Sequence, residues 1–427
     1  MDIHVVRAGE TVSSVAARYG VPAGILAGVN GVAPDAPLAV GQTLVVRHPR
    51  ELHTVASGES VYSIALRYGL SVRTLYQNNP ALGGRSALYP GQTLVIAYDD
   101  TPTRTLAVNA YSYPFIRGGL LDAALPYLTY LTPFTYGINA DGTLLPLADE
   151  WLLAAAGQYR TAALMHLSTL TEEGRFDNAR STLILEDADA QDALVQSILE
   201  TVQARHYFGL DVDFEYVLPE QREAYAAFIT RLREALNPLG CPVVVALAPK
   251  TSAAQRGLLY EAHDYALLGA AANAVFLMTY EWGYTYGPPM AVAPLGQVRA
   301  VLDYALTAVA PEKIFMGIPL YGYDWPLPFV SGETRAESLS PVQAVERALR
   351  HGIAIQYDAA AQAPYYHYTD RGGRKHTVWF EDARSIEAKL RLADEYHLQG
   401  VGYWNLTRPF PQNWAVLASL FDIETLL

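Results

Sequence analysis

From residue 104 onward, eight short apolar runs of β-type residues alternate with stretches whose apolar positions recur at helical spacing. The runs are 106–110, 128–136, 162–168, 207–215, 243–248, 274–280, 314–320 and 400–405, separated by amphipathic segments such as 190–205, 221–236 and 295–310. A strand buried on both faces reads as a near-continuous apolar run, and each crossover to a parallel neighbour requires a dozen or more residues, usually a helix. Eight such units predict an α/β chain closing into a (β/α)8, or TIM, barrel. The last crossover, 321–399, is the longest. Its β-like pieces at 365–368 and 376–379 predict an excursion before a last helix at 385–396.

The fourth run, Phe208-Gly209-Leu210-Asp211-Val212-Asp213-Phe214-Glu215-Tyr216, carries three acids at alternate positions. Period-two alternation puts Leu210, Val212, Phe214 and Tyr216 on one face and Asp211, Asp213 and Glu215 on the other. An unpartnered buried carboxylate costs several kcal/mol, so a row of three in an apolar strand indicates chemistry rather than stability. The plain alternative, a polar edge strand with its acids in water, fits poorly with the large apolar residues between them. In a barrel of this kind the site lies at the C-terminal strand ends, which makes Glu215 the acid nearest the mouth. The other strand ends supply Met278-Thr279-Tyr280-Glu281-Trp282, Tyr321, Tyr403-Trp404-Asn405 and Tyr136. Carboxylates walled by aromatic faces suit a sugar, whose ring stacks on flat surfaces while its hydroxyls meet polar groups.

Several classes are set aside. A net charge of −13 argues against general affinity for nucleic acid or anionic membranes. No run of eighteen apolar residues suggests a membrane span, and Met1-Asp2-Ile3-His4 lacks the features of a secretory signal. The lone cysteine, Cys241, reads as a small core residue. No His-Glu-x-x-His spacing or glycine-rich phosphate loop is present, so neither a metal nor another cofactor is expected. His166 and His206 read as hydrogen-bonded barrel residues.

The first ninety-eight residues differ in charge and in pattern. They carry seven Arg against five Asp and Glu, a net of +2 that leaves −15 for the remainder. They also repeat. His4-Val5-Val6-Arg7-Ala8-Gly9-Glu10-Thr11-Val12 returns as His53-Thr54-Val55-Ala56-Ser57-Gly58-Glu59-Ser60-Val61, and Val40-Gly41-Gln42-Thr43-Leu44 as Pro90-Gly91-Gln92-Thr93-Leu94. Each unit predicts a small βααβ module, at 1–48 and 51–98, followed by a short polar hinge at 99–103 and the barrel at 103–427. Both units resemble LysM modules, and that resemblance implies binding of peptidoglycan, chitin or another N-acetylglucosamine-containing glycan.

The barrel brings a second resemblance. Asp211-Val212-Asp213-Phe214-Glu215 is similar to the Asp-x-Asp-x-Glu core of glycoside hydrolase family 18, Met278-Thr279-Tyr280 to its Met-x-Tyr segment, and Trp404 to the tryptophan that floors its sugar site. With tandem LysM modules ahead of it, the whole resembles the spore cortical-fragment-lytic N-acetylglucosaminidases. This implies cleavage of β-1,4 bonds after N-acetylglucosamine by substrate-assisted retention, an exception to the ordinary two-carboxylate scheme. On that pattern Glu215 is the acid and base, Asp213 orients the substrate acetamide with Tyr280, and Asp211 shares a proton or hydrogen bond with Asp213. Met278, Glu281, Tyr321, Tyr136 and Trp404 bind sugar. Crowding among the acids is expected to raise the pKa of Glu215.

Two positions depart from the pattern. Phe208 stands where the longer motif has a further aspartate, and Glu281 where Met-x-Tyr usually continues with aspartate. Chitin is the alternative substrate, and a non-catalytic glycan-binding protein the alternative class. The implied location is the spore coat or cortex of a spore-forming bacterium, otherwise the cytoplasm.

Overall fold

A computed structural model of the chain describes residues 1–171 and 175–427. Eight parallel strands close into a barrel: Arg104–Ser112, Tyr130–Pro133, Ala162–Ser168, Gly209–Asp213, Val243–Leu247, Ala274–Leu277, Ile314–Pro319 and Gly400–Trp404. They are hydrogen-bonded in chain order, and strand eight closes onto strand one, with Gly400 opposite Ala107 and Tyr403 opposite Ala110. A further short strand, Phe421–Ile423, runs parallel to the start of strand one.

Alternation divides strand four between two cores. Leu210, Val212 and Phe214 are fully buried between the sheet and its surrounding helices. Burying an apolar side chain of this size contributes roughly 1.5–3 kcal/mol. The opposite face looks into the barrel, whose interior is packed by Tyr111, Tyr130, Leu164, Val244, Phe276 and Phe315. Phe208 packs against this interior cluster, its ring centroid 5.8 Å from that of Tyr130. The motif's missing aspartate is therefore replaced by apolar filling. The alternation stops earlier than its sequence pattern: the strand ends at Asp213, and Tyr216 has φ +59° and is 39% exposed. Tyr216 is thus turned out of the face expected for it, because the backbone is no longer extended there.

The predicted excursion is a five-stranded antiparallel sheet in the order Glu337–Leu339, Gly322–Pro326, Lys375–Trp379, Ala363–Thr369, Gln356–Asp358. The helix Pro341–His351, capped at Ser340, packs on it. Ala383–Glu395 then returns to the barrel, but it is not the last helix: Pro411–Leu420 follows strand eight. That helix is buried around most of its circumference, so it shows no amphipathic stripe to betray it.

Each N-terminal module has the expected order: Asp2–Val5, Val12–Tyr19, Ala23–Asn30 and Thr43–Val46, then Pro49–Thr54, Val61–Arg67, Val72–Asn78 and Thr93–Tyr98. Capping boxes at Thr11 and Ser60 start the first helices. A buried asparagine clasps each closing strand: Asn30 donates to Val45 O at 2.8 Å and accepts from Val45 N at 2.7 Å, and Asn79 does the same with Val95.

The modules do not hang from a free hinge. Arg47 binds Asp100 of the link at 2.6 Å, and the Thr103 amide donates to Leu420 O at 2.8 Å. Gln412, on the last helix, donates to Asn30 Oδ1 at 3.0 Å and to Thr43 O at 2.6 Å. In the first module Gly41, at φ +83°, lies so close to the Ile355 carbonyl that a Cβ would collide, whereas its counterpart Gly91 faces open space. The second module is seated differently, by Arg73 on the carbonyls of Pro126 and Leu128 and by Tyr159 on Gly84 O.

Candidate active site

The C-terminal strand ends open into a cleft of about 1120 Å³, slightly above the roughly 300–1,000 Å³ usual for small-molecule sites. Its lining includes Asp213, Glu215, Met278, Tyr280, Glu281 and Trp404. Asp211 lies one layer below, fully buried. The acids therefore descend from the cleft into the barrel, Asp213 and Asp211 by strand alternation and Glu215 just past the strand's end.

Asp211 is held from the far side of the barrel. Tyr111, near the end of strand one, donates its hydroxyl to Asp211 Oδ2 at 2.7 Å. Burial pushes the Asp211 carboxyl up to about 7, against the lowering effect of that hydrogen bond. Asp213 is also raised, by burial first and then by the charge of Asp211. The Oδ1 atoms of both aspartates are buried without a hydrogen-bond partner. Two adjacent buried carboxyls resist joint ionisation. The partner expected for Asp211 was Asp213; the hydrogen bond it makes is to Tyr111.

His166, on strand three, brings Nε2 within 3.9 Å of Asp213 while its Nδ1 meets Thr135 Oγ1 at 2.6 Å. Burial lowers His166 to about 3, so the ring is neutral and adds no cation beside the acid pair. Glu215 is raised well above the usual carboxylate range, by burial first, then by Asp213 and Glu281. Crowding contributes as expected, second to loss of water. The Tyr280 hydroxyl is likewise raised well above its ordinary value by burial and then by Asp213, which keeps it a proton donor.

Aromatic rings form the walls. Trp404 sits 4.9 Å from Phe134, 5.6 Å from Tyr111 and 5.8 Å from Tyr113, centroid to centroid. Glu281 has φ +68°, and its Oε1 accepts from the hydroxyls of Tyr321 and Tyr323 at 3.2 and 3.3 Å. Tyr321 thus meets Glu281 rather than the cleft. Tyr136 is elsewhere: it bridges Leu167 on the outward-facing side, and its hydroxyl donates to Asp149 at 3.1 Å. Strand two ends at Pro133, so Tyr136 does not stand at its end as expected. His206 is also displaced, as an exposed left-handed cap ending the helix Ala188–Arg205. Cys241 is buried as expected.

Tyr111 and Tyr113 were missed; His166 is the hydrogen-bonded barrel residue expected, bonded to Thr135, but its place beside Asp213 was not foreseen. Each lies in or just after a strand correctly located from the sequence, and the available signal was its inward parity at the C-terminal end. Among the described residues no group of three or more His, Cys, Asp or Glu is arranged to hold a metal ion, and no single helix is long and apolar enough to cross a membrane. Chemically, the cleft offers a glutamate whose pKa is raised by burial, a buried aspartate pair beside it, a phenol donor and stacking surfaces.

The glycosyl hydrolases family 18 model matches residues 171–408, and the LysM domain model matches 4–47 and 53–97. The chain is 39% identical to the cortical fragment-lytic enzyme of Bacillus subtilis (strain 168), with 99% of each covered. The crystal structure of the Bacillus cereus spore cortex-lytic enzyme SleL superposes with a TM-score of 0.84 at 38% identity, covering 99% of this chain and 98% of that one. A chitinase from Chromobacterium violaceum superposes with a TM-score of 0.68 at 25% identity, covering 74% of this chain and 98% of its own.

Proposed function

The chain belongs to glycosyl hydrolases family 18 and carries two LysM domains ahead of a glycosidase barrel, and from that premise we propose that it hydrolyses β-1,4 bonds following N-acetylglucosamine in fragments of spore-cortex peptidoglycan. One observation carries the chemistry: Glu215, its pKa held well above the usual carboxylate range by burial, lines an aromatic cleft directly beyond a buried aspartate pair. The substrate class is supported by full-length similarity to enzymes named for cortical fragments.

In this reading Glu215 gives its proton to the glycosidic oxygen as the C–O bond breaks. The substrate's own 2-acetamido oxygen closes on the anomeric carbon. Glu215, now ionised, takes a proton from the water that reopens the ring, so configuration is retained. Asp213 accepts from the acetamide N–H, and Tyr280 donates to its carbonyl oxygen, which stabilises charge as it develops. Asp211, steadied by Tyr111, accepts the proton that Asp213 gives up when it takes on the acetamide. Trp404 stacks under the reacting sugar, with Met278 and Glu281 beside it. The LysM modules hold the glycan, and the spore is the compartment where such fragments arise.

Mass spectrometry of digests tests this. Purified cortex fragments treated with the wild-type protein should yield products with N-acetylglucosamine at the new reducing end, and Glu215→Gln should leave them intact. Faster turnover of chitin oligomers than of cortex fragments would overturn the substrate; an active Glu215→Gln variant would overturn the mechanism.

A further inference from the structure

Glu215 projects from a stretch that the barrel ladder does not hold. Pairing of strand four with strand three ends at Asp213 opposite Ser168, and with strand five at Val212 opposite Val245. Tyr216, one residue beyond Glu215, already has a left-handed backbone. Phe214 and Glu215 thus lie between the end of the ladder and a turn. The Phe214 ring stacks on Tyr225 and Phe228 of the helix Arg222–Leu236, each 5.7 Å away, and its carbonyl is held from the loop after strand five.

His263 is fully buried there, just ahead of the helix Tyr265–Ala271. Its Nδ1 lies 2.8 Å from the backbone N of Ala248, and its Nε2 lies 3.1 Å from the carbonyl oxygen of Phe214. These two contacts determine the tautomer. A peptide N–H only donates, so Nδ1 must present its lone pair to Ala248; Nε2 therefore carries the proton and donates it to Phe214. The loop is itself anchored: Lys250 Nζ donates to His263 O at 3.1 Å, while the Tyr265 hydroxyl donates to Ala248 O at 2.7 Å and accepts from Lys250 N at 2.9 Å. The Phe214 carbonyl shares its peptide plane with the Glu215 nitrogen, so holding that oxygen restricts the rotation that would swing the acid.

We propose that His263 is a positioning residue for Glu215, a single-tautomer imidazole that clasps the ends of strands four and five and so aims the acid into the cleft. The inference rests on the reading of Glu215 as the proton donor. Burial, with the Lys250 charge as a lesser cause, holds the imidazole near 4, so the clasp stays neutral through the neutral pH range.

Two substitutions separate the halves of the clasp. His263→Asn can present an oxygen where Nδ1 stands but cannot reach Phe214, whereas His263→Gln can present an N–H where Nε2 stands. The expected result is a roughly 10–100-fold fall in kcat for His263→Asn, with KM unchanged because the aromatic walls are untouched, and substantial rescue in His263→Gln. The falling limb of the pH profile should also move in His263→Asn, because it reports the setting of Glu215. Wild-type kcat in a folded His263→Asn variant, or equal losses in both variants that follow their melting temperatures, would overturn the proposal. Should neither variant fold, 15N chemical shifts of the wild-type imidazole decide it: a proton on Nε2 alone at neutral pH supports the clasp, and one on Nδ1 refutes it. A silent His263→Asn beside a dead Glu215→Gln removes this inference alone; an active Glu215→Gln removes it together with the catalytic reading.

Discussion

Glu10 in the first LysM module and Glu215 in the barrel are the same side chain under opposite forces. Glu10 accepts from the Arg7 amide at 2.8 Å, meets His4 Nε2 at 2.8 Å and pairs with Arg18 at 2.7 Å. The Arg7 hydrogen bond, followed by that of His4, lowers its pKa to about 2. Glu59 repeats the arrangement with Ala56, His53 and Arg67, and shifts the same way. Glu215 has burial and two like-charged neighbours, Asp213 and Glu281, and shifts upward. Donors fix a carboxylate as an anion that organises a turn, whereas burial among like charges favours the protonated form.

The strongest way to break this contrast is Glu215→Gln, which keeps the neutral shape of the protonated acid and removes the proton. Hydrolysis of a soluble N-acetylglucosaminide should fall by about 10²–10⁴-fold, with the melting temperature preserved. Because the wild type must hold that proton, kcat/KM should decline only at pH values above the ordinary carboxylate range. Asp211→Asn comes next. The folded-state pKa of about 7 lies above the usual 3.8, so the folded chain binds more protons and wild-type stability falls as pH rises between those values. Urea melts should show the variant gaining about 1–4 kcal/mol over wild type above pH 7 and no advantage near pH 3; a variant weaker at pH 8 would contradict the sign.

Glu10→Gln probes the other side. A depressed pKa contributes stability above about 4.5 that is lost as pH falls toward 2. Hydrogen exchange in Val12–Tyr19 should therefore quicken in the variant at pH 7 and converge with wild type in acid, while barrel turnover stays unchanged. The smallest expected effect is that of Glu281→Gln: losing one like charge lowers the pKa of Glu215, so the falling limb of the pH–rate profile moves to lower pH.

Much of this was legible in the sequence. All eight barrel strands were located, because runs buried on both faces are hard to mistake and their spacing left room for helices. The acid row was legible because strand parity survives from Gly209 to Asp213. Parity failed at Tyr216, where φ is +59°, and the strand stops short of Tyr136, which lies beyond the end of strand two; neither break is written in an apolar pattern. The contacts of Tyr111 with Asp211 and of His263 with Phe214 were invisible for a different reason: they join residues 100 and 49 positions apart. No local pattern encodes such a meeting. The link 99–103 has the composition of a flexible hinge, yet Arg47 and the last helix immobilise it through contacts that composition does not record.

That seating has a consequence for how glycan reaches the cleft. A tethered module sweeps a volume around its anchor and averages over linker length. Modules pinned to Pro411–Leu420, to Ile355 and to the carbonyls of Pro126 and Leu128 sweep none. Simultaneous engagement then becomes a matching problem: a strand held by a LysM module meets Glu215 only when its own contour bridges one fixed offset. A taut, cross-linked wall presents few such contours, whereas loose pieces can bend to supply them.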